Sequence, residues 1–485
     1  MMNIIFFKKN LALNSVYNES MICRFYLLLA TCIWVLPGFS QSLYSTHGQF
    51  KIMQLTFENS GHTLHNTQCF SPDDKWIVFD TRNNDTMIAS TGNISIVNTQ
   101  TGRIRELYHT KYQTLFGPGV GAATFSPVAN RVLFIQGVRN SNENNPYGFT
   151  RRTGVTIDIS KPFQSIFMDA RNITPPFIAG ALRGGTHAHN WSGDGQWISF
   201  TYNDYVMQQL EKKDSAVKDL RTVGVMVAGH PVDVPYDASE ENNSGEMFSV
   251  VVANVTQNPQ PGSDEIDKAS DEGWIGANGY QKSDGSWQHR AIAFQGEVIN
   301  YDGTKKAEVF VVDLPEDLTK ARPGQPLEGT NTSRPGVPEG VLQRRITYTS
   351  NGIQGPRHWL RCTSDGKLIA FLSKDDKGII QLFGVSPKGG KIRQLTFNSY
   401  PVQGPFNFSP DGKYVAYLAD NSVFITVVQT GKSQRLTQRS SNEEQVTGSV
   451  VWSNRSGMLA FNKYVKDRKA DKVFLQIFII KVGLL

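Results

Sequence analysis

Short apolar runs of alternating pattern, four or five residues long, recur along the chain between polar turns, and they predict β-strands joined by hairpins. The fullest unit is Gln394 to Asp420, QLTFNSYPVQGPFNFSPDGKYVAYLAD. It reads as a strand, a polar loop, a second strand, the turn Ser409-Pro410-Asp411-Gly412 and a third strand. Proline presets φ at the second turn position and glycine tolerates positive φ at the fourth. The unit returns at Gln54 to Thr81, with Asp74 where the glycine would stand. Aligned on the turn, seven repeats emerge, led by Phe70-Ser71, Phe125-Ser126, Trp191-Ser192, Phe294-Gln295, Cys362-Thr363, Phe408-Ser409 and Trp452-Ser453. An aromatic residue precedes the turn in six of the seven, which checks the alignment independently of the turn itself.

Further strands between these units, such as Val309–Val312 and Val423–Val427, complete four strands per repeat. A four-stranded sheet cannot bury both faces alone, whereas a closed ring packs each sheet against two neighbours. The expected fold is therefore all-β: a seven-bladed propeller of four-stranded antiparallel blades spanning 50–485. QLTF at 54–57 matches the fourth-strand QLTF at 394–397 but precedes blade one, so the N-terminal strand is expected to complete the last blade. Turns near the C-terminus recur about every 44 residues, from Ser409 to Ser453, but about 103 separate Ser192 from Gln295. That gap predicts an insertion at about 203–288 between blades three and four, with helix-compatible stretches at 205–220 and 263–271.

Composition changes this picture little. Aromatics at 11% and 43 glycines among 485 residues suit a β-rich, turn-rich chain. Of the net charge of +6, about +2 lies in the first forty residues, and the dispersed remainder argues against a nucleic-acid partner. Residues 1–40 read as a secretory signal whose true start is expected at Met21: Arg24, an apolar run to Leu36, then small and polar residues. The run is too short for a stable membrane span, so a periplasmic or secreted protein is expected, with lipidation at Cys32 as a side possibility. Cys69 and Cys362 are then the remaining cysteines and are expected as buried thiols rather than a disulfide.

The candidate chemistry lies with histidine. His65, His289 and His358, with Gln403, stand at or near the sixth position before the aligned turns of blades one, four, five and six; blade three adds His187 and His189. In a ring these loops meet at one mouth of the central channel. Imidazole nitrogens with an amide oxygen suit a divalent ion such as Mn or Zn, and no nucleotide cofactor is expected. His187 and His189 share the parity of the aromatic position and not that of the other histidines, so a bulge or offset is needed for all of them to meet.

The SPDG-containing repeats resemble the WD-like repeats of TolB-type periplasmic propellers and the propeller domains of prolyl oligopeptidase relatives. With LRGGTHAHNWS, SFTYND and PQPGSDEIDKASDEGWIG, the chain also resembles a bacterial family of TolB-like propellers often labelled biopolymer transporter Tol. GxSxG is absent, so peptidase chemistry is not implied. A weaker resemblance, to oligogalacturonate lyases, implies manganese held by three histidines and a glutamine, and β-elimination on uronides. Carried onto this chain, it implies metal ligands His187, His189, His358 and Gln403, with His289 or His65 as the base. Arg183, Arg290 and Arg357 would clamp acidic groups or form inter-blade ion pairs. Two readings follow: a binding propeller for an envelope protein or acidic oligosaccharide, or a metal-dependent lyase.

Overall fold

The computed structural model describes residues 44–483 apart from Gln49, Ser456, Arg468 and Ala470. The expected signal segment, with Cys32, lies outside the described residues. Seven antiparallel sheets form the blades of a propeller. Their innermost strands are the segment at Phe70, which bridges Ile77, then Val120–Phe125, Gly184–Trp191, Lys268–Trp274, Arg361–Cys362, Asn407–Phe408 and Val446–Trp452. Blade seven is closed as expected: Phe50–Gln54 pairs antiparallel with Lys472–Lys481, and Tyr44–His47 adds a fifth strand outside it. Apolar side chains fill the space between neighbouring sheets. Between blades seven and one, for example, Met53, Leu55, Phe79, Ile477 and Ile479 share one buried cluster.

The repeated turn follows from one arrangement of hydrogen bonds. In blade six the Ser409 hydroxyl donates to Asp411 Oδ1 (2.6 Å) and accepts from the Tyr414 amide (3.0 Å). The same pair of bonds holds Ser71 with Asp73, Ser192 with Asp194, and Thr363 with Asp365. The residue after each aspartate has positive φ: Gly195, Gly366 and Gly412, and in blade one Asp74 at +58°. Asp74 has its own use there, since its carboxylate accepts the amides of Asn454 (2.7 Å) and Arg455 (2.6 Å) and ties blade one to the turn of blade seven.

Blade four departs from the sequence reading. Its inner strand is Lys268–Trp274, and Phe294 sits in the middle of the second strand, Ala291–Ile299, stacked on Phe310 at 5.6 Å. The true counterpart of the pre-turn aromatic is Trp274. Its indole donates to the Asn190 carbonyl of blade three (3.0 Å), as Trp452 of blade seven donates to the Asn407 carbonyl of blade six (3.0 Å). A hairpin at Tyr280–Gln281 and Trp287–Gln288 replaces the tight turn, which displaced the alignment. Residues 203–288 accordingly carry blade strands, Thr222–Val227, Phe248–Val251 and Lys268–Trp274, besides irregular loops. The helix there is short, Tyr205–Glu211, capped by the Asp204 carboxylate on the Met207 amide (3.0 Å); 263–271 is not helical.

Cys69 and Cys362 are free thiols, and burial pushes both up to about 12. Among the described residues, no helix is long and apolar enough to cross a membrane.

Candidate functional site

Each inner strand runs toward its serine turn. The loops that enter inner strands therefore share the opposite rim with the loops joining second to third strands. That rim opens into a cavity of about 490 Å³, built from blades one, two, three, five, six and seven. Its walls include His65, Asn66, Arg82, Tyr147, Phe149, Arg152, His187, Arg221, Arg357, Trp359 and Tyr464.

Irregular inner strands shape this cavity. Positive φ at Gln68, Ala122, Ala188, Asp271 and Gly448 marks bulges two to four residues before the aromatic in five blades. The pairing register shifts at four of them, including between His187 and Asn190. The bulge that the parity of His187 and His189 required is thus present, and it separates the two rings. His187 lines the cavity, whereas His189 turns toward blade two, where its Nε2 lies 2.9 Å from Thr186 Oγ1 and Thr186 donates to Asp169 (2.9 Å).

Below the cavity the channel is closed. Arg361 of blade five donates to the side-chain and main-chain oxygens of Asn66 in blade one and to Asn407 Oδ1 (2.8 Å). Asn407 Nδ2 donates in turn to the Asn66 carbonyl (2.8 Å). Gln68 exchanges two bonds with the backbone of Trp191, 3.0 and 3.1 Å, joining blades one and three. Bonds between blades that are not neighbours can form only through the axis, so the mouth is a blind funnel.

The expected metal ligands do not assemble. His358 has both ring nitrogens engaged by backbone: Nδ1 bonds the Pro356 carbonyl (2.9 Å) and Nε2 accepts the Leu372 amide (3.0 Å). Gln403 is exposed and its amide oxygen accepts the Asn421 amide (2.8 Å). The one lone pair of His358 Nε2 already holds a backbone N–H and is not available to an ion. The set His187, His189, His358 and Gln403 therefore does not fit manganese or zinc, and among the described residues no three His, Cys, Asp or Glu side chains are placed to hold a metal. Burial holds His65 and His187 well below the usual imidazole range and brings His189 to about 3 and His358 to about 4; all four are neutral.

The remaining expected residues divide. His65 is at the funnel, its Nε2 3.0 Å from Asn66 Nδ2. His289 is exposed just before the second strand of blade four, on the serine-turn rim, away from the funnel. Arg290 beside it pairs with Asp194 (2.5 Å) in the turn of blade three. Arg183 is fully buried, paired with Asp204 (2.7 Å) and bonded to the Ser333 carbonyl (2.9 Å). Both arginines are structural ion pairs here. Arg357 does face the funnel; its side chain is 52% exposed, pairs with Asp271 (2.9 Å) and lies 4.6 Å from the Trp359 ring.

Two arginines that the sequence reading passed over define the site. Arg152 is 4% exposed; its Nη1 donates to the Tyr147 hydroxyl (3.0 Å), while Nε and Nη2 are buried without a partner. Arg221 donates through Nε to Asn203 Oδ1 (3.1 Å). Neither makes an ion pair among the described residues, unlike Arg82, which is bonded twice to Asp80 (2.7 and 2.9 Å). The signal available was Thr150-Arg151-Arg152, a pair of cations entering an apolar strand.

Comparisons with known proteins bear on this arrangement. The family described as "Protein of unknown function (DUF3748)" matches residues 119–242. The Escherichia coli (strain K12) protein titled "Uncharacterized protein YidR" is 39% identical over 415 residues, covering 84% of this chain and 94% of that protein. Among solved structures, an oligogalacturonate lyase in complex with manganese matches with a TM-score of 0.52 at 10% identity, covering 91% of this chain and 96% of that one. A second oligogalacturonate lyase, from Vibrio parahaemolyticus, gives a TM-score of 0.50 at 11% identity, with 92% and 96% covered. At such identity the likeness is one of fold.

Proposed function

The chain belongs to the family of the Escherichia coli protein YidR, and from that premise we propose that it is a binding propeller of the periplasm or cell exterior. It takes an acidic oligosaccharide of the envelope into the axial funnel, in the manner of a TolB-like rim. The observation that carries the reading is the buried guanidinium of Arg152, two of whose nitrogens have no partner, in the wall of a cavity large enough for a small ligand. A buried, unpaired cation is costly unless something anionic completes it. Trp359, Tyr147 and Tyr464 in the same wall offer flat apolar faces and polar edges suited to sugar rings. A protein partner on the rim would leave these buried groups unused.

Calorimetric titration of the purified protein with trigalacturonate, against a neutral trisaccharide, tests this. Binding of the acidic sugar alone is expected; binding of neither, or of both equally, abandons the reading. Uronide lyase activity is the second reading. What favours it is the presence of two neutral imidazoles, His65 and His187, at the same mouth as the arginines. Stoichiometric manganese or zinc that His187→Ala releases, together with an unsaturated uronide product, would put the lyase in place of the binding protein.

A further inference from the structure

Arg152 and Arg221 come from different blades, at the starts of the third strands of blades two and three, yet share one ring. The guanidinium carbon of each lies 5.0 Å from the centre of Phe149. Phe149 itself is 59% exposed, on the loop joining the second and third strands of blade two. Two cations against one aromatic ring, with no carboxylate bonded to either, form an arrangement that repels itself. The quadrupole of one ring compensates two guanidinium charges only in part.

The free atoms of Arg152 are informative. Nη1 is committed to Tyr147, and what remains is Nε with Nη2, the side-on edge of the guanidinium, whose two N–H groups run parallel. That edge matches the two oxygens of a carboxylate in a bidentate fork. His187 Nδ1, also buried and without a partner, lies in the same wall. The edge is buried, and the exposed ring of Phe149 is packed against the same guanidinium, where it can turn aside.

We propose that Arg152 and Arg221 form a carboxylate subsite at the funnel wall, with Phe149 as the movable cover that an incoming carboxylate displaces. This deepens the acidic-saccharide reading and rests on it for the ligand's size, but the subsite itself needs only the carboxylate.

Calorimetric titration with sodium glucuronate, sodium sulfate and glucose tests it on the full chain and on Arg152→Lys, Arg221→Met and Phe149→Ala. Glucuronate is expected to bind the unmutated protein, and each arginine change is expected to weaken it about tenfold or more, since charge-assisted bonds are lost. Arg152→Lys keeps the charge but not the fork, so weaker binding by a variant whose thermal transition is unaltered separates geometry from charge. Phe149→Ala is expected to bind at least as tightly as the unmutated protein. Unchanged affinity in Arg152→Lys and Arg221→Met, binding of sulfate but not glucuronate, or weaker binding in Phe149→Ala would overturn the proposal. If trigalacturonate binds the arginine variants normally, the subsite is wrong and the broader reading stands. If trigalacturonate fails while glucuronate binds through the arginines, the reverse holds.

Discussion

Glu272 shows how much one side chain in the inner wall can set. It is fully buried on the inner strand of blade four, accepting from Thr201 Oγ1 at 2.7 Å. Burial, opposed by that hydrogen bond, raises it from 4.5 to about 7; Asp271 beside it raises it further and Arg357 lowers it. A carboxyl whose folded value is raised favours the fold below its unfolded value, and that contribution is lost as pH climbs through the folded one. The window therefore runs from about 4.5 to about 7, and the amount is on the order of 3 kcal/mol. Glu272→Gln removes the dependence. In urea unfolding the variant is expected to gain on the unmutated protein between pH 5 and pH 8, while the acid-side loss from neutral His189 and His358, common to both, cancels. An unchanged difference across that range would mean that Glu272 is already ionised in the fold. His358 makes the complementary point: which atoms it would spend on backbone was not visible in the sequence.

Among the elements, the turns were legible and the bulges were not. Serine or threonine followed two residues on by aspartate reports its hydrogen bonds directly in blades one, three, five and six, and an aromatic residue followed by serine aligns blades two and seven. Blade four failed because its hairpin at 280–288 carries a Ser-Asp-Gly of its own at the wrong distance from Trp274. Three of the bulges use Gln68, Ala122 and Ala188, residues with no preference for positive φ, and Asp271 and Gly448 are too common in other conformations to announce the other two. Arg152 and Arg221 were missed for a related reason: they meet only after two loops from different blades have folded toward one ring. Ala188 offers a test of the bulge as an element. At φ +57° its Cβ is strained by about 1 kcal/mol, so Ala188→Gly is expected to raise stability by up to that amount, less the entropy glycine adds to the unfolded chain. Chemical denaturation reads the sign. A loss of more than about 1 kcal/mol would show that the alanine methyl is needed for packing.

At the scale of the whole molecule, the ring depends on its first described strands. Ile52 and Met53 are buried, and Phe50–Gln54 supplies the pairing that one edge of Phe478–Lys481 otherwise lacks. Removing residues through Gln54 leaves an open edge and exposes the cluster between blades seven and one. Each large apolar side chain so uncovered costs about 2 kcal/mol. The truncated protein is expected to melt at least about 10 °C lower or to fail to fold; an unaltered thermal transition would show that the ring closes without this strand.

The axial bonds of Arg361, Asn66 and Asn407 have a bearing on any long substrate. A polysaccharide cannot be threaded through this propeller as through a bead. It can present only a terminus or a sharply bent segment, and must withdraw by the route it entered. The protein would then count chain ends rather than chain length, and a sample of acidic polymer cut into shorter pieces would occupy more of it at the same mass.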